Sequence, residues 1–258
     1  MSDYKGELVS LLYTDNFEST VSFYEDILGL EKAEVWSKGG EKATKFKVAG
    51  GGRIQVTCGG TELPKGPISL WLHGKDINGV YESIKKEKGV KFLEPIEDKY
   101  YHARAFQMID PSGNGVSVVA YENEVKPYTK DAKKADYFGT EYRSVFFVDD
   151  FDACFEFYTK VLGVECVYSW NESPEDRGCK YDITGEGAFL ETLHRKPLLP
   201  QDAGSIMIRA KDVDATYKRI SGIKGAKIIS DIEDTERGTR QFSLNDPDGN
   251  VIIVFSYI

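Results

Sequence analysis

The chain opens on an apolar stretch of strand length, Glu7 to Thr14, and then changes period: Phe17, Val21, Tyr24 and Leu28 fall on one face of a helix. Gly29 ends that helix, because glycine takes the left-handed backbone that closes a helix C-terminus. Three short strands follow, near 31–37, 43–49 and 52–58, the last two joined by Gly50-Gly51-Gly52. A second round begins with strand Ile68 to His73 and a shorter helix whose apolar face is Ile77, Val80, Tyr81 and Ile84. Strands near 90–94, 103–109 and 114–121 close it. The whole order then recurs, with Phe151, Phe155, Tyr158 and Leu162 repeating the first helical face and Val213, Tyr217 and Ile220 the second. The pattern predicts βαβββ, four times over.

Residue identities show that this is a duplication. Phe23-Tyr24 returns as Phe157-Tyr158, Leu28-Gly29 as Leu162-Gly163 and Trp36 as Trp170, all at an offset of 134. Asp76 and Asp212, Arg104 and Arg240, and Phe106 and Phe242 match at 136, which predicts a two-residue insertion between Trp170 and Asp212. The most specific pair is Asp110-Pro111-Ser112-Gly113-Asn114 with Asp246-Pro247-Asp248-Gly249-Asn250, each a tight turn that feeds a strand. Proline presets φ there, glycine tolerates positive φ, and Asp and Asn bond to the turn backbone. Between the copies, Lys126, Lys130, Lys133 and Lys134 alternate with acids and small residues. The division is a first module at 1–124, a charged linker at 125–138 and a second module at 139–258.

Charge and cysteine content narrow the function classes. A net charge of -9 argues against nucleic acid or an anionic membrane surface as partner. The longest apolar runs, such as Val251 to Phe255, are too short to cross a bilayer, and the start carries no charged-then-apolar leader. Cys58, Cys154, Cys166 and Cys179 form no C-x-x-C pair, so reduced thiols in a cytoplasmic protein are expected. Gly50-Gly51-Gly52 precedes no helix and reads as a hairpin turn rather than a phosphate loop.

The element order, the Phe-Tyr…Leu-Gly helix and the Asp-Pro-x-Gly-Asn turn together resemble the vicinal oxygen chelate superfamily of glyoxalase I, bleomycin-resistance proteins and extradiol dioxygenases. The resemblance covers the chain apart from the linker. It implies an α+β fold of tandem modules, each of two βαβββ units forming a curled mixed sheet, with helices on the convex face and a ligand pocket on the concave one. Enzymes of that family hold a divalent metal through His and Glu on the concave face, as a Lewis acid. Counted from Asp15 and Asp149, the first-strand His position holds Leu8 and Tyr142; the fifth-strand position holds Ser69 and Ser205. The last-strand Glu position holds Ser117 and Ile253, and the fourth-strand position Gln55 and Glu191. One carboxylate does not make a catalytic site, which wants three protein ligands or more. No metal and no cofactor is expected.

Strand alternation sorts the remaining candidates. The first copy offers Trp36, Gln55, Ser69, Trp71, His73 and Ser117 to a pocket, and the second Tyr142, Trp170, Glu191, Met207, Arg209 and Phe255. Small hydroxyls beside an aromatic suit a polar ligand with one flat face; the second face is more apolar, with Glu191 and Arg209 its charged members. The expected function is metal-independent binding or sequestration of a small organic molecule, aromatic or polar-aromatic, as in resistance proteins of the family. One alternative is a glyoxalase-like lyase or dioxygenase with a displaced metal site. The other is a structural or partner-binding protein whose aromatics fill both pockets and whose Glu191 and Arg209 neutralise each other. The modules can pair within the chain, which leaves a surface for a homodimer.

Overall fold

The computed structural model describes residues 3–59, 66–125, 134, 138–199 and 202–258. The first copy folds as β1 (Tyr4–Tyr13), α1 (Phe17–Ser22), β2 (Lys32–Lys38), β3 (Glu41–Lys47), β4 (Gly52–Cys58), β5 (Ser69–Gly74), α2 (Ile77–Ile84), β6 (Lys91–Lys99), β7 (Ala103–Ile109) and β8 (Gly115–Tyr121). The second folds as β9 (Phe138–Phe147), α3 (Phe151–Glu156), β10 (Glu165–Ser173), β11 (Asp176–Asp182), β12 (Ala188–His194), β13 (Ser205–Ala210), α4 (Val213–Ser221), β14 (Lys227–Asp234), β15 (Thr239–Asn245) and β16 (Val251–Tyr257). Both α1 and α3 run on into a wider π-type turn, Phe23–Ile27 and Phe157–Leu162, and Gly163 closes the second at φ 78°. The side chains of Asp76, Asp150 and Asp212 cap α2, α3 and α4 by accepting the backbone N–H three residues on.

The predicted mixed sheets are present, each of eight strands, but each takes one βαβββ unit from each copy. Their orders are β14-β15-β16-β13-β1-β4-β3-β2 and β10-β11-β12-β9-β5-β8-β7-β6. The joints are antiparallel: β1 lies along β13 with Val9 opposite Met207, and β5 along β9 with Trp71 opposite Arg143. The concave faces therefore do not belong one to each copy, as alternation within a copy had sorted them. Both sheets are completed within the chain.

One continuous core lies between the sheets and the helices. It joins Leu8, Leu12 and Phe46 of one sheet, Leu72, Tyr142 and Leu190 of the other, and Tyr24, Leu28, Tyr158 and Leu162 of the helical segments. This corrects the facing of the two first strands. Leu8 and Tyr142 are wholly buried on the core side, and the Tyr142 hydroxyl meets that of Ser10 at 2.5 Å. The cavity side of β1 carries Leu11 and Tyr13 and that of β9 Arg143, Val145 and Phe147. The count had started one residue early: the residues at the helix N-caps are Asn16 and Asp150, not Asp15 and Asp149.

The Asp-Pro-x-Gly-Asn turns act as hydrogen-bond hubs. Asp110 accepts the backbone N–H of Ser112 and Asn114 at 2.8 and 2.9 Å, and the Asn114 side chain in turn accepts the N–H of Ile68 at 3.1 Å. Asp246, Asp248, Asn250 and Gly204 repeat the arrangement. The insertion is split between two loops. Phe46 packs on Tyr24 as Tyr181 packs on Tyr158, so one extra residue precedes β11, and the other falls between β11 and β12. The linker lies largely outside the described residues, Lys126, Lys130 and Lys133 included; Lys134 bonds Glu87 at 2.8 Å.

Cys166 and Cys179 form a disulfide between β10 and β11, which corrects the expectation of four reduced thiols; Cys58 and Cys154 are free. Disulfides persist mainly in oxidising compartments, so the thiol argument for a cytoplasmic location falls away. No helix among the described residues is long and apolar enough to cross a membrane.

Candidate functional site

The central strands β12, β9, β5 and β8 floor a cavity of about 750 Å3. Register brings the floor together: Trp71 stands opposite Ser117 on one side and Arg143 on the other, while Glu191 stands opposite Val145. Its walls are Tyr168 and Trp170 from β10, Tyr100 and Tyr101 from the β6–β7 turn, and Phe147 and Leu193. A concave apolar site with a few placed polar groups is the usual form of a small-molecule site.

Arg143 is the hub of the floor. Its guanidinium carbon lies 4.1 Å from the centroid of the Trp71 ring. Each of its three nitrogens donates: Nε to Glu141 at 2.7 Å, one terminal nitrogen to Glu191, and the other to the Tyr121 hydroxyl at 2.7 Å. Lys180 adds a second cation, 3.3 Å from Glu141 and 4.5 Å above the Phe189 ring. Burial alone would raise the Glu141 carboxyl, but Arg143 and Lys180 outweigh it and hold its pKa below the ordinary range. Burial would likewise lower Arg143, and the two carboxylates reverse that. Burial pushes the Tyr121 hydroxyl up, so it stays neutral at physiological pH. The lining as a whole is balanced, with four carboxylates against four bases, and it contains no histidine or cysteine.

One aspartate links two of the walls. Asp176, where β11 begins, accepts the Tyr100 hydroxyl at 2.6 Å and the Trp170 indole N–H at 3.2 Å. Trp170 lies across Gly178 of the neighbouring strand, so closely that a Cβ there would collide with the indole.

The other sheet encloses a smaller cavity of about 270 Å3 containing Trp36, Gln55, Met207 and Phe255. Charge joins two of the hairpins beside it. Arg237 covers Trp36 at 4.3 Å and bonds Glu41, and Lys38 pairs with Glu236 at 2.5 Å, so the tips of the β2–β3 and β14–β15 hairpins are tied together.

Of the residues expected from sequence, Ser69, Trp71, Ser117, Trp170 and Glu191 meet in the larger cavity and Trp36, Gln55, Met207 and Phe255 in the smaller. Three lie elsewhere. Tyr142 faces the core. His73, at the end of β5, is buried outside the cavity and bonds Glu124 at 2.6 Å. Arg209 belongs to the other sheet and covers Tyr257 at 5.0 Å, so the partner of Glu191 is Arg143 and not Arg209. Sequence reasoning missed Arg143, Glu141, Lys180 and Tyr121; counting from the N-cap Asp150 instead of Asp149 would have found Arg143.

The metal that the resemblance implies does not fit these residues. With the count corrected, the first-strand ligand positions hold Val9 and Arg143, and in the larger cavity that guanidinium sits on Glu191, with Ser69 and Ser117 as the remaining members. Among the described residues no three of His, Cys, Asp or Glu cluster as metal ligands.

The family model described as Glyoxalase/Bleomycin resistance protein/Dioxygenase superfamily matches residues 8–118 and 141–254. Glyoxalase I from Zea mays superposes with a TM-score of 0.73 at 14% identity, covering 98% of this chain and 92% of that one. A putative dioxygenase from Bacillus subtilis superposes with a TM-score of 0.66 at 13% identity, covering 98% of this chain and 85% of that one. At these identities the likeness is one of fold. Among curated proteins none matches the chain in sequence.

Proposed function

The chain belongs to the glyoxalase/bleomycin resistance protein/dioxygenase superfamily, and on that footing we propose that it binds a small aromatic molecule in its larger cavity without a metal. The observation that carries this is the Arg143–Glu191 pair. Glu191 is the carboxylate retained from the family's ligand set, and a buried guanidinium has taken it up. A divalent ion there would have to displace a charge-assisted hydrogen bond and sit beside a fixed positive charge.

The lining supports binding over turnover. It offers aromatic walls, small hydroxyls at Ser69 and Ser117, and Glu94 and Glu191 already paired to Lys99 and Arg143, but no histidine or cysteine to act as proton carrier or nucleophile. The volume of about 750 Å3 weighs against pockets filled by their own side chains. No second copy of the chain is needed to complete either sheet.

Two measurements on purified protein test the proposal. In a thermal-shift screen of aromatic metabolites and natural products, a ligand at about 100 times its Kd should add roughly 2.7 kcal/mol of stability. Substituting Trp71 or Trp170 should weaken that response, whereas Trp36 should not. Metal analysis after dialysis should find no stoichiometric divalent ion. Retained metal that is lost in Glu191→Ala would overturn the proposal.

A further inference from the structure

Two aromatic rings on the floor of the larger cavity carry a cation over the face. Arg143 lies over Trp71 and Lys180 over Phe189, and all four side chains line the cavity. A ligand that settles on this floor therefore meets a guanidinium and an ammonium together with the two rings. Three of the five N–H groups of Arg143 are held by Glu141, Glu191 and Tyr121, which fixes the guanidinium with one flat face on Trp71, so a ligand that joins the stack does so on the other flat face. That face repels a cation and attracts the negative π-face of an electron-rich ring. The same carboxylates offset the two cations at long range, for an anion and a cation alike, so the discrimination acts at contact with the guanidinium and ammonium.

We propose that the ligand of the larger cavity is a neutral, electron-rich planar aromatic, of the phenol, naphthol or indole class, and that Arg143 and Lys180 select it over aromatic cations of the same size. This rests on reading the cavity as a binding site. The ring extends the Trp71–Arg143 stack by a third layer, with Trp170 and the Tyr100–Tyr101 turn closing over its edge. Arg143 and Lys180 act here by the charge they place against the ring and take part in no bond-making step.

The test compares two fused-ring probes, neutral β-naphthol and cationic N-methylquinolinium, by calorimetric titration of the intact protein. Native protein should bind the naphthol at least roughly tenfold more tightly. Arg143→Gln and, separately, Lys180→Gln should each narrow the preference to about threefold or less, mainly by strengthening binding of the cation. Lys180 is half-buried and its replacement keeps the test open if Arg143→Gln folds poorly. Equal binding of the two probes, tighter binding of the cation, or an unchanged preference in both variants overturns the assignment while leaving the cavity a binding site. If neither probe binds, the assignment also fails; the reading of the cavity falls with it only if the wider aromatic screen is empty as well.

Discussion

The Tyr24 hydroxyl donates to the Asp110 carboxylate at 2.9 Å, and in the second copy Tyr158 donates to Asp246 at 2.8 Å. Each bond runs from the helical segment that follows one sheet's first strand to a turn in the other sheet. The two motifs that mark the duplication are thus hydrogen-bonded to each other, and they fasten the halves of a copy across the sheets. Hydrogen bonds to charged groups contribute about 1.5–3 kcal/mol. Tyr24→Phe and Tyr158→Phe should each lower unfolding free energy by that order in urea melts. Asp110→Ala and Asp246→Ala should cost more, because each strands several turn N–H donors as well.

Breaking the floor should cost more than dismantling it. Arg143→Met removes the partner shared by Glu141 and Glu191 and leaves Lys180 to compensate Glu141 alone, a loss of about 3–5 kcal/mol by analogy with other buried pairs. Adding Glu191→Leu should restore at least roughly 1 kcal/mol of it. A strictly additive double-mutant cycle in denaturant melts would show that the pair is not coupled.

Acid sensitivity should follow Glu141. Its folded pKa lies below the ordinary 4.5, so its contribution is present above that value and is lost as pH falls through the lower, folded one. Glu141→Gln should reduce stability at neutral pH and flatten the decline below about pH 4.5. Melting temperatures measured across the acid range check this.

On the alkaline side, burial pushes the Tyr181 hydroxyl from 10.0 up to about 12, and raises Tyr24 and Tyr158 well above the ordinary value. The unfolded chain releases these protons first. Their stabilisation is therefore full below pH 10 and is lost as pH rises, for Tyr181 through about 12. A tyrosinate absorbance titration should show a group that ionises only as the protein unfolds.

Gly178→Ala should move a wall of the larger cavity without touching its floor. The new methyl group would meet the Trp170 indole, which must swing away from Asp176. Ligand affinity should fall by roughly tenfold, as for loss of one aromatic contact, with a shift in tryptophan emission and a small change in melting temperature. An unaltered emission spectrum would place the indole elsewhere.

Much of the fold was legible because its markers are local. Helical period, stop glycines and the Asp-Pro-x-Gly-Asn turns depend on a few neighbouring residues, and each occurs twice. Pairing of β1 with β13 and β5 with β9 left no such trace, since the same alternating strands would fit either partner. The site suffered from a single residue of register: with a period of two, starting from Asp149 instead of Asp150 turned Tyr142 into the cavity and Arg143 out of it. Residues on strands anchored independently, such as Glu191, Ser69 and Ser117, were sorted correctly. Charge pairing across strands, Arg143 with Glu191 above all, needs the register first and could not have preceded it.

The exchange of units between sheets also sets a timetable for synthesis. Val9 pairs with Met207, so β1 waits for roughly 200 further residues before its neighbour leaves the ribosome, about 10–40 s at ordinary elongation rates. Over that interval β1 has one side of its backbone unpaired at the middle of a future sheet, an edge open to nascent copies of the same chain. Slower translation, or expression of the first copy without the second, should therefore favour pairing between molecules, with two chains sharing the sheet that one normally completes alone.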